Sequence, residues 1–314
     1  MLVENAFQGV LTLLICIVVG FVMAKTKYLD ESMEAKLSKL TLHFSVPCLL
    51  FLNCQTYISR ELLAEMGWGL LIPAITVSAC YGLGLLLAHV FRIEKSNRGL
   101  FLIMFSMANT FFIGLPVCLA IFGEESLPLV AAYFPFNMLL FWTLGAMGLA
   151  KDGGQAFRFS LKTLKNVFSP PLVGALLGAA FALLEIPLPA FIGEAMQHLG
   201  NLTTPITLLL AGCILARMGK DALSIGREGV LTLVGRFLVS PALSLLLCLL
   251  IGTPTLMTQV YTMESAMPVM TQSMLAARVY GANHKLAAQM ITLTTILGLA
   301  WVPLLMWVLT RVVA

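Results

Sequence analysis

Charge is scarce in this chain. Only 11% of its 314 residues are Asp, Glu, Lys or Arg, against about a quarter in soluble domains, while 59% are hydrophobic and the mean hydropathy is +0.95. So few charges cannot coat a soluble domain, and none is left over once the apolar runs are assigned. The net charge of +4 is spread over short loops instead of being gathered on one face, which excludes a nucleic-acid surface.

Metal and redox chemistry lack their residues too. The seven cysteines (Cys16, Cys48, Cys54, Cys80, Cys118, Cys213 and Cys248) stand singly in apolar segments with no C-x-x-C pair, and read as small buried hydrophobes. His43, His89, His198 and His284 fall on separate segments without metal-ligand spacing. There is no H-E-x-x-H, no G-x-S-x-G, no intramembrane aspartate pair and no Walker motif, so neither an enzyme nor a nucleotide-driven pump is indicated and no cofactor is called for. Residues 1–5 are acidic where a signal peptide is basic, so the first apolar run is expected to remain as a helix.

What the chain has is apolar length. Runs long enough to cross a bilayer fall near 8–24, 36–54, 67–90, 98–122, 127–149, 164–184, 196–216, 229–251, 255–280 and 286–310, which predicts ten spans. All but three of the 19 Lys and Arg residues lie in alternate loops; the exceptions are Arg60, Arg311 and Arg236, the last inside span 8. The positive-inside bias then predicts a multi-pass protein of the inner or plasma membrane with both termini outside.

The middle basic loop, 151–165, divides the chain into five-span units, 1–150 and 166–314. A shift of 158 residues carries Gly20 onto Gly178, Pro47 onto Pro205 and Phe122-Gly123 onto Tyr280-Gly281, which fits an inverted repeat. The expected fold is an all-α membrane protein: ten transmembrane helices in two inverted five-helix repeats, the fourth and ninth being broken crossover helices. Span 4 carries Asn109, Gly114 and Pro116 within eight residues; the shift sets it opposite Glu264-Ser-Ala-Met-Pro268 in span 9. Such breaks strand polar backbone groups and survive in a bilayer only where protein or a water-filled cavity receives them.

These motifs resemble those of the auxin efflux carrier (PIN-like) family. Asn109-Thr110-x-x-x-Gly114-Leu115-Pro116 is similar to the signature of its fourth helix. Phe44-Ser45-Val46-Pro47-x-Leu49-x-Phe51, Arg236-Phe237-Leu238-x-x-Pro241-Ala242 and Met267-Pro268, followed by Tyr280, match its other patterns in order. The likeness is to short-looped bacterial members, malonate carriers among them: the long plant loop is absent, and Val269-Met270 replaces the plant Gln-Gly. The resemblance implies a homodimeric carrier of small organic anions. Spans 1, 2, 6 and 7 would form a scaffold that dimerises through spans 2 and 7, and spans 3–5 and 8–10 a moving transport unit.

The candidate substrate-binding residues are Asn109, Thr110, Gly114, Pro116, Met267, Pro268 and Gln272. Asn109 can cap a half-helix and donate its amide to a ligand oxygen, and the positive ends of two half-helices favour an anion without a fixed Lys or Arg. Ser106 and Asn137 read as packing, and so does the methionine run Met257, Met263, Met267, Met270 and Met274. Glu264 lies roughly 12 Å below the outer face at ~1.5 Å per residue, so it must be protonated, ion-bound or paired. It can couple transport to H⁺ or Na⁺, or pair with Arg236; both readings stand at this point. The leading function is a secondary carrier of small carboxylates working by alternating access. The alternative is a cation/proton antiporter of similar architecture.

Overall fold

The computed structural model describes residues 2–155, 168–217 and 225–313; most of the expected linker 151–165 lies outside them. The described chain is helical, and its one β-type contact is an isolated bridge. In order come α1 (Leu2–Lys25), α2 (Glu31–Tyr57), a short helical segment Arg60–Met66, α3 (Gly67–Val90), α4 (Arg98–Ser106), α5 (Thr110–Phe122) and α6 (Glu124–Asp152). After the undescribed stretch follow α7 (Pro170–Leu183), α8 (Ala190–Ala216), α9 (Arg227–Ile251), α10 (Thr255–Ser265), α11 (Gln272–Tyr280) and α12 (His284–Val312). Six of these, α2, α3, α6, α8, α9 and α12, are long and apolar enough to cross a membrane. The runs 98–122 and 255–280 are each two helices with an unwound joint: α4 and α5, then α10 and α11.

Local chemistry accounts for the ends and irregularities. Asp30 caps α2 by accepting from the Met33 N–H at 2.7 Å, and Asn283 caps α12 through Leu286 at 3.1 Å. Of the four wide π-type turns among the described residues, three, Thr41–Ser45, Thr110–Gly114 and Gly235–Val239, end two residues ahead of a proline (Pro47, Pro116 and Pro241), while Phe141–Gly145 has none at that position. A proline has no N–H for the carbonyl four residues back and its ring pushes that carbonyl away; the widened turn absorbs the displacement without ending the helix.

Packing sorts the helices into two groups. α1 lies along α8 and α2 along α7, while α3, α4, α6, α9, α10, α11 and α12 pack mainly among themselves; α5 joins this second group through α6 and α10, and both α5 and α12 also pack against α1. In lipid, burying apolar surface does little to drive helices together, so close backbone approach and van der Waals contact carry association. Gly20 of α1 meets the Leu209 carbonyl and Gly212 of α8 meets the Ile17 carbonyl, so closely that any Cβ at either position would overlap backbone. The outward surface keeps its apolar side chains: Ile15, Leu86, Leu177, Phe191 and Leu250 are all at least half as exposed as in an open chain. That surface suits lipid.

Candidate functional site

The two joints meet. α4 stops at Ser106 and α5 begins at Thr110; α10 stops at Ser265 and α11 begins at Gln272. Ala108 and Val269 pair as an antiparallel bridge, and the Asn109 N–H donates to the Pro268 carbonyl at 2.8 Å. Pro268 lies between the end of α10 at Ser265 and the start of α11 at Gln272, where no helical N–H claims its carbonyl, so the carbonyl is free for this bond between the two joints.

An unwound backbone inside a bilayer must find partners for its polar groups. Asn137 of α6 takes both groups of Ala108: its Oδ1 accepts the N–H at 3.3 Å and its Nδ2 donates to the carbonyl at 2.7 Å. The Val269 N–H donates to Thr294 Oγ1 of α12 at 3.0 Å. Arg236 of α9, fully buried, donates from Nε to the Met267 carbonyl at 3.1 Å and from Nη2 to the Ser265 carbonyl. Asn109 caps α5, accepting the Phe112 N–H at 3.3 Å, and its amide donates to Thr271 Oγ1 at 2.7 Å.

A cavity of about 280 Å³ opens beside this crossing. Asn109, Thr110, Thr271 and Gln272 supply its polar surface; Phe111, Phe134, Met138 and Trp142 its apolar wall; Leu42 and His43 of α2 with Pro170 and Pro171 of α7 face them. The hydroxyls of Thr110 and Ser169, the indole N–H of Trp142 and the amide oxygen of Gln272, all lining residues, are buried without a partner among the described residues. Among the described residues no Lys, Arg, Asp or Glu lines the cavity, and His43 is the one titratable group there. The start of α5 lies on its wall, and so does the start of α11, with the partial positive charge of a helix N-terminus. The arrangement is built to receive a small polar guest through neutral donors and two helix ends.

Of the residues singled out from sequence, Asn109, Thr110 and Gln272 come together on this cavity. Gly114, Pro116, Met267 and Pro268 do not line it. Gly114 faces Glu264, Pro116 is buried within α5, Met267 gives its carbonyl to Arg236, and the Pro268 ring packs against Gly298 of α12. The Arg236–Glu264 pair does not form, because the guanidinium is committed to carbonyls while the carboxyl points at α5. Ser106 bonds back within its own helix to the Leu102 carbonyl at 2.6 Å, as a packing residue does.

Asn137 exceeds the packing role read from sequence, since it replaces two lost helix bonds. Thr271, Thr294, Trp142, His43 and Ser169 were not singled out at all. Thr271 had a signal, standing beside Gln272 just after the second break. The others sit in ordinary apolar or loop sequence, and only folding brings them to the joint.

Comparison with known proteins gives two results. Residues 5–308 match the protein family described as membrane transport protein. The chain is 27% identical over 308 residues to an uncharacterized transporter of Methanocaldococcus jannaschii, covering 96% of this chain and 97% of that one. An uncharacterized transporter of Methanothermobacter thermautotrophicus is 26% identical over 315 residues, covering 97% and 98%.

Proposed function

The chain belongs to the membrane transport protein family, that of the auxin efflux carriers, and on this premise we propose that it is a secondary carrier of small carboxylates working by alternating access. The observation that carries the reading is the meeting of two broken helices at a small cavity, where Asn109, Thr110 and Gln272 stand beside two helix N-termini with no fixed charge among the described lining residues. A carboxylate bound there would accept hydrogen bonds from neutral donors and be held by the helix ends. The volume sits at the small end of ligand pockets, about 300–1,000 Å³, in keeping with a guest of a few carbons. A cation/proton antiporter of the same build would place carboxylates on the cavity wall, and none of the lining residues is acidic.

Two inverted five-helix units are the frame of this proposal. The 158-residue shift that carries Gly20 onto Gly178 also carries Phe51 onto Leu209. Both contacts are present: Gly20 abuts the Leu209 carbonyl and Gly178 the Phe51 carbonyl. In this frame α1, α2, α7 and α8 are the scaffold, with the homodimer formed through α2 and α8. The other helices carry the site. The cavity walls from α2 and from the start of α7 lie toward the ends next to Lys36 and Lys39 and next to the basic loop 151–165, and on this reading the site faces the cytoplasm and both termini lie outside.

The test is thermal unfolding of the purified protein against a panel of mono- and dicarboxylates, since a ligand of the folded state raises the melting temperature. A selective shift is expected in the wild type and none in Asn109→Ala, whose dimer stays intact. The matching carboxylate should also undergo saturable counterflow in proteoliposomes. A shift of equal size in Asn109→Ala removes the crossing from the binding site.

A further inference from the structure

Inside the group formed by α3–α6 and α9–α12, one acid and one base lie close to the crossing and serve different partners. The C-terminal end of α10 presents carbonyls with partial negative charge. In carriers with discontinuous helices, such ends and the unwound carbonyls beyond them are where a coupling cation is held. Here the place is taken. Arg236 binds the carbonyls of Ser265 and Met267, and a guanidinium stays charged at every physiological pH. Its surroundings leave a metal ion no vacancy at those oxygens.

Glu264, one residue before the end of the same helix, points the other way and is fully buried. Its Oε1 accepts from the Cys118 thiol at 3.3 Å, and its Oε2 has no partner among the described residues. The carboxyl lies where Gly114 has no side chain: a Cβ there would stand 2.5 Å from Oε2 and 2.7 Å from Oε1. The groups around it that titrate or carry charge are few. α5 offers Cys118, α6 Tyr133, α3 Cys80, α9 Cys248 and the committed Arg236, and α10 itself Tyr261. α12 offers only threonines at this level, its His284, Lys285 and Arg311 lying at its two ends. A thiol and a glycine backbone do not make the oxygen shell that a hard cation such as Na⁺ needs.

We propose that Glu264 is the proton-binding site of this carrier. Coupling is then to H⁺, and Arg236 permanently fills the place a coupling metal ion would occupy. The inference rests on the carrier reading and deepens it. Gly114 closes the turn that opens at Thr110, and Thr110 lines the cavity, so the protonation state of Glu264 acts on the helix end that meets the guest. A negative guest and a negative Glu264 oppose each other across that turn. By linkage, binding the anion favours binding the proton, and the two travel together.

The experiment uses the full-length protein. Infrared spectra at neutral pH should contain a protonated-carboxyl C=O band that is lost in Glu264→Gln, displaced in Cys118→Ala, and unchanged when NaCl is replaced by choline chloride. In proteoliposomes with a trapped pH dye, a malonate gradient should move protons with the wild type. Glu264→Gln should keep malonate–malonate exchange and lose the pH change. A spectrum without that band, the Cys118→Ala spectrum included, overturns the proposal even if Glu264→Gln fails to fold. So does a Na⁺-dependent rise in melting temperature that Glu264→Gln abolishes. A band that behaves as expected in a wild type that exchanges no carboxylate supports the proton site and counts against the carrier reading alone.

Discussion

Asn137→Ala isolates the residue on which the first helix break depends. The side chain is fully buried and satisfies both backbone groups of Ala108, at 3.3 and 2.7 Å. Alanine leaves an N–H and a carbonyl unpartnered in the interior. At about 1–3 kcal/mol for each stranded group, the loss comes to roughly 2–6 kcal/mol, with a further cavity cost for the deleted amide. Using about 2 °C per kcal/mol for a chain of this size, the melting temperature should fall by roughly 4–12 °C. Asn137→Asp can replace both bonds only while its carboxyl is protonated, because an ionised carboxylate would set an unpaired buried charge against the Ala108 carbonyl oxygen; its melting temperature should therefore fall further as the pH is raised. Differential scanning fluorimetry of the detergent-solubilised protein measures both variants. Because Ala108 precedes the cavity residue Asn109, the carboxylate-induced shift should vanish in Asn137→Ala even at temperatures where the protein is folded. If Asn137→Ala melts within about a degree of wild type, the break is held by something else and this accounting of stranded backbone groups is wrong for the joint.

Two further substitutions probe the other side of the crossing. Gly114→Ala puts a methyl 2.5 Å from Glu264 Oε2 and should cost about 1–3 kcal/mol by overpacking; a double-mutant cycle should recover most of that in a Glu264→Ala background, and an equal cost in both backgrounds refutes the contact. Arg236→Lys keeps the charge but not the fork that reaches two carbonyls, so about 1.5–3 kcal/mol of unfolding stability should be lost, and Arg236→Met, which strands both carbonyls, should lose more; equal stability of the methionine variant shows the guanidinium to be dispensable.

The π-type turns show how far local sequence reaches into this fold. Pro47, Pro116 and Pro241 each mark a disturbed turn by chemistry that needs no neighbour: a missing N–H and a bulky ring. The apolar runs are equally local. Hydropathy placed the 67–90 helix at the bounds the structure gives, and it started the 196–216 helix six residues late, where Ala190 and the residues after it form an amphipathic extension. Glu264 and Arg236 were visible as misplaced charges, but their partners were not. A charge inside a span announces that something must compensate it, and the identity of the compensating group depends on how the helix is turned and on which neighbour it meets.

Residue order alone located the apolar runs, the places where helices break, and Asn109 as the cap on the second half of a broken one, because each follows from bonds and sterics within a turn or two. The pairing of Ala108 with Val269, the bond from Asn109 to Thr271 across 162 residues, the two-sided grip of Asn137 and the separation of Arg236 from Glu264 were decided only by tertiary structure. The reason is physical: a stranded backbone group accepts any well-aimed donor or acceptor, so the sequence states the demand and the packing of distant helices chooses the supplier.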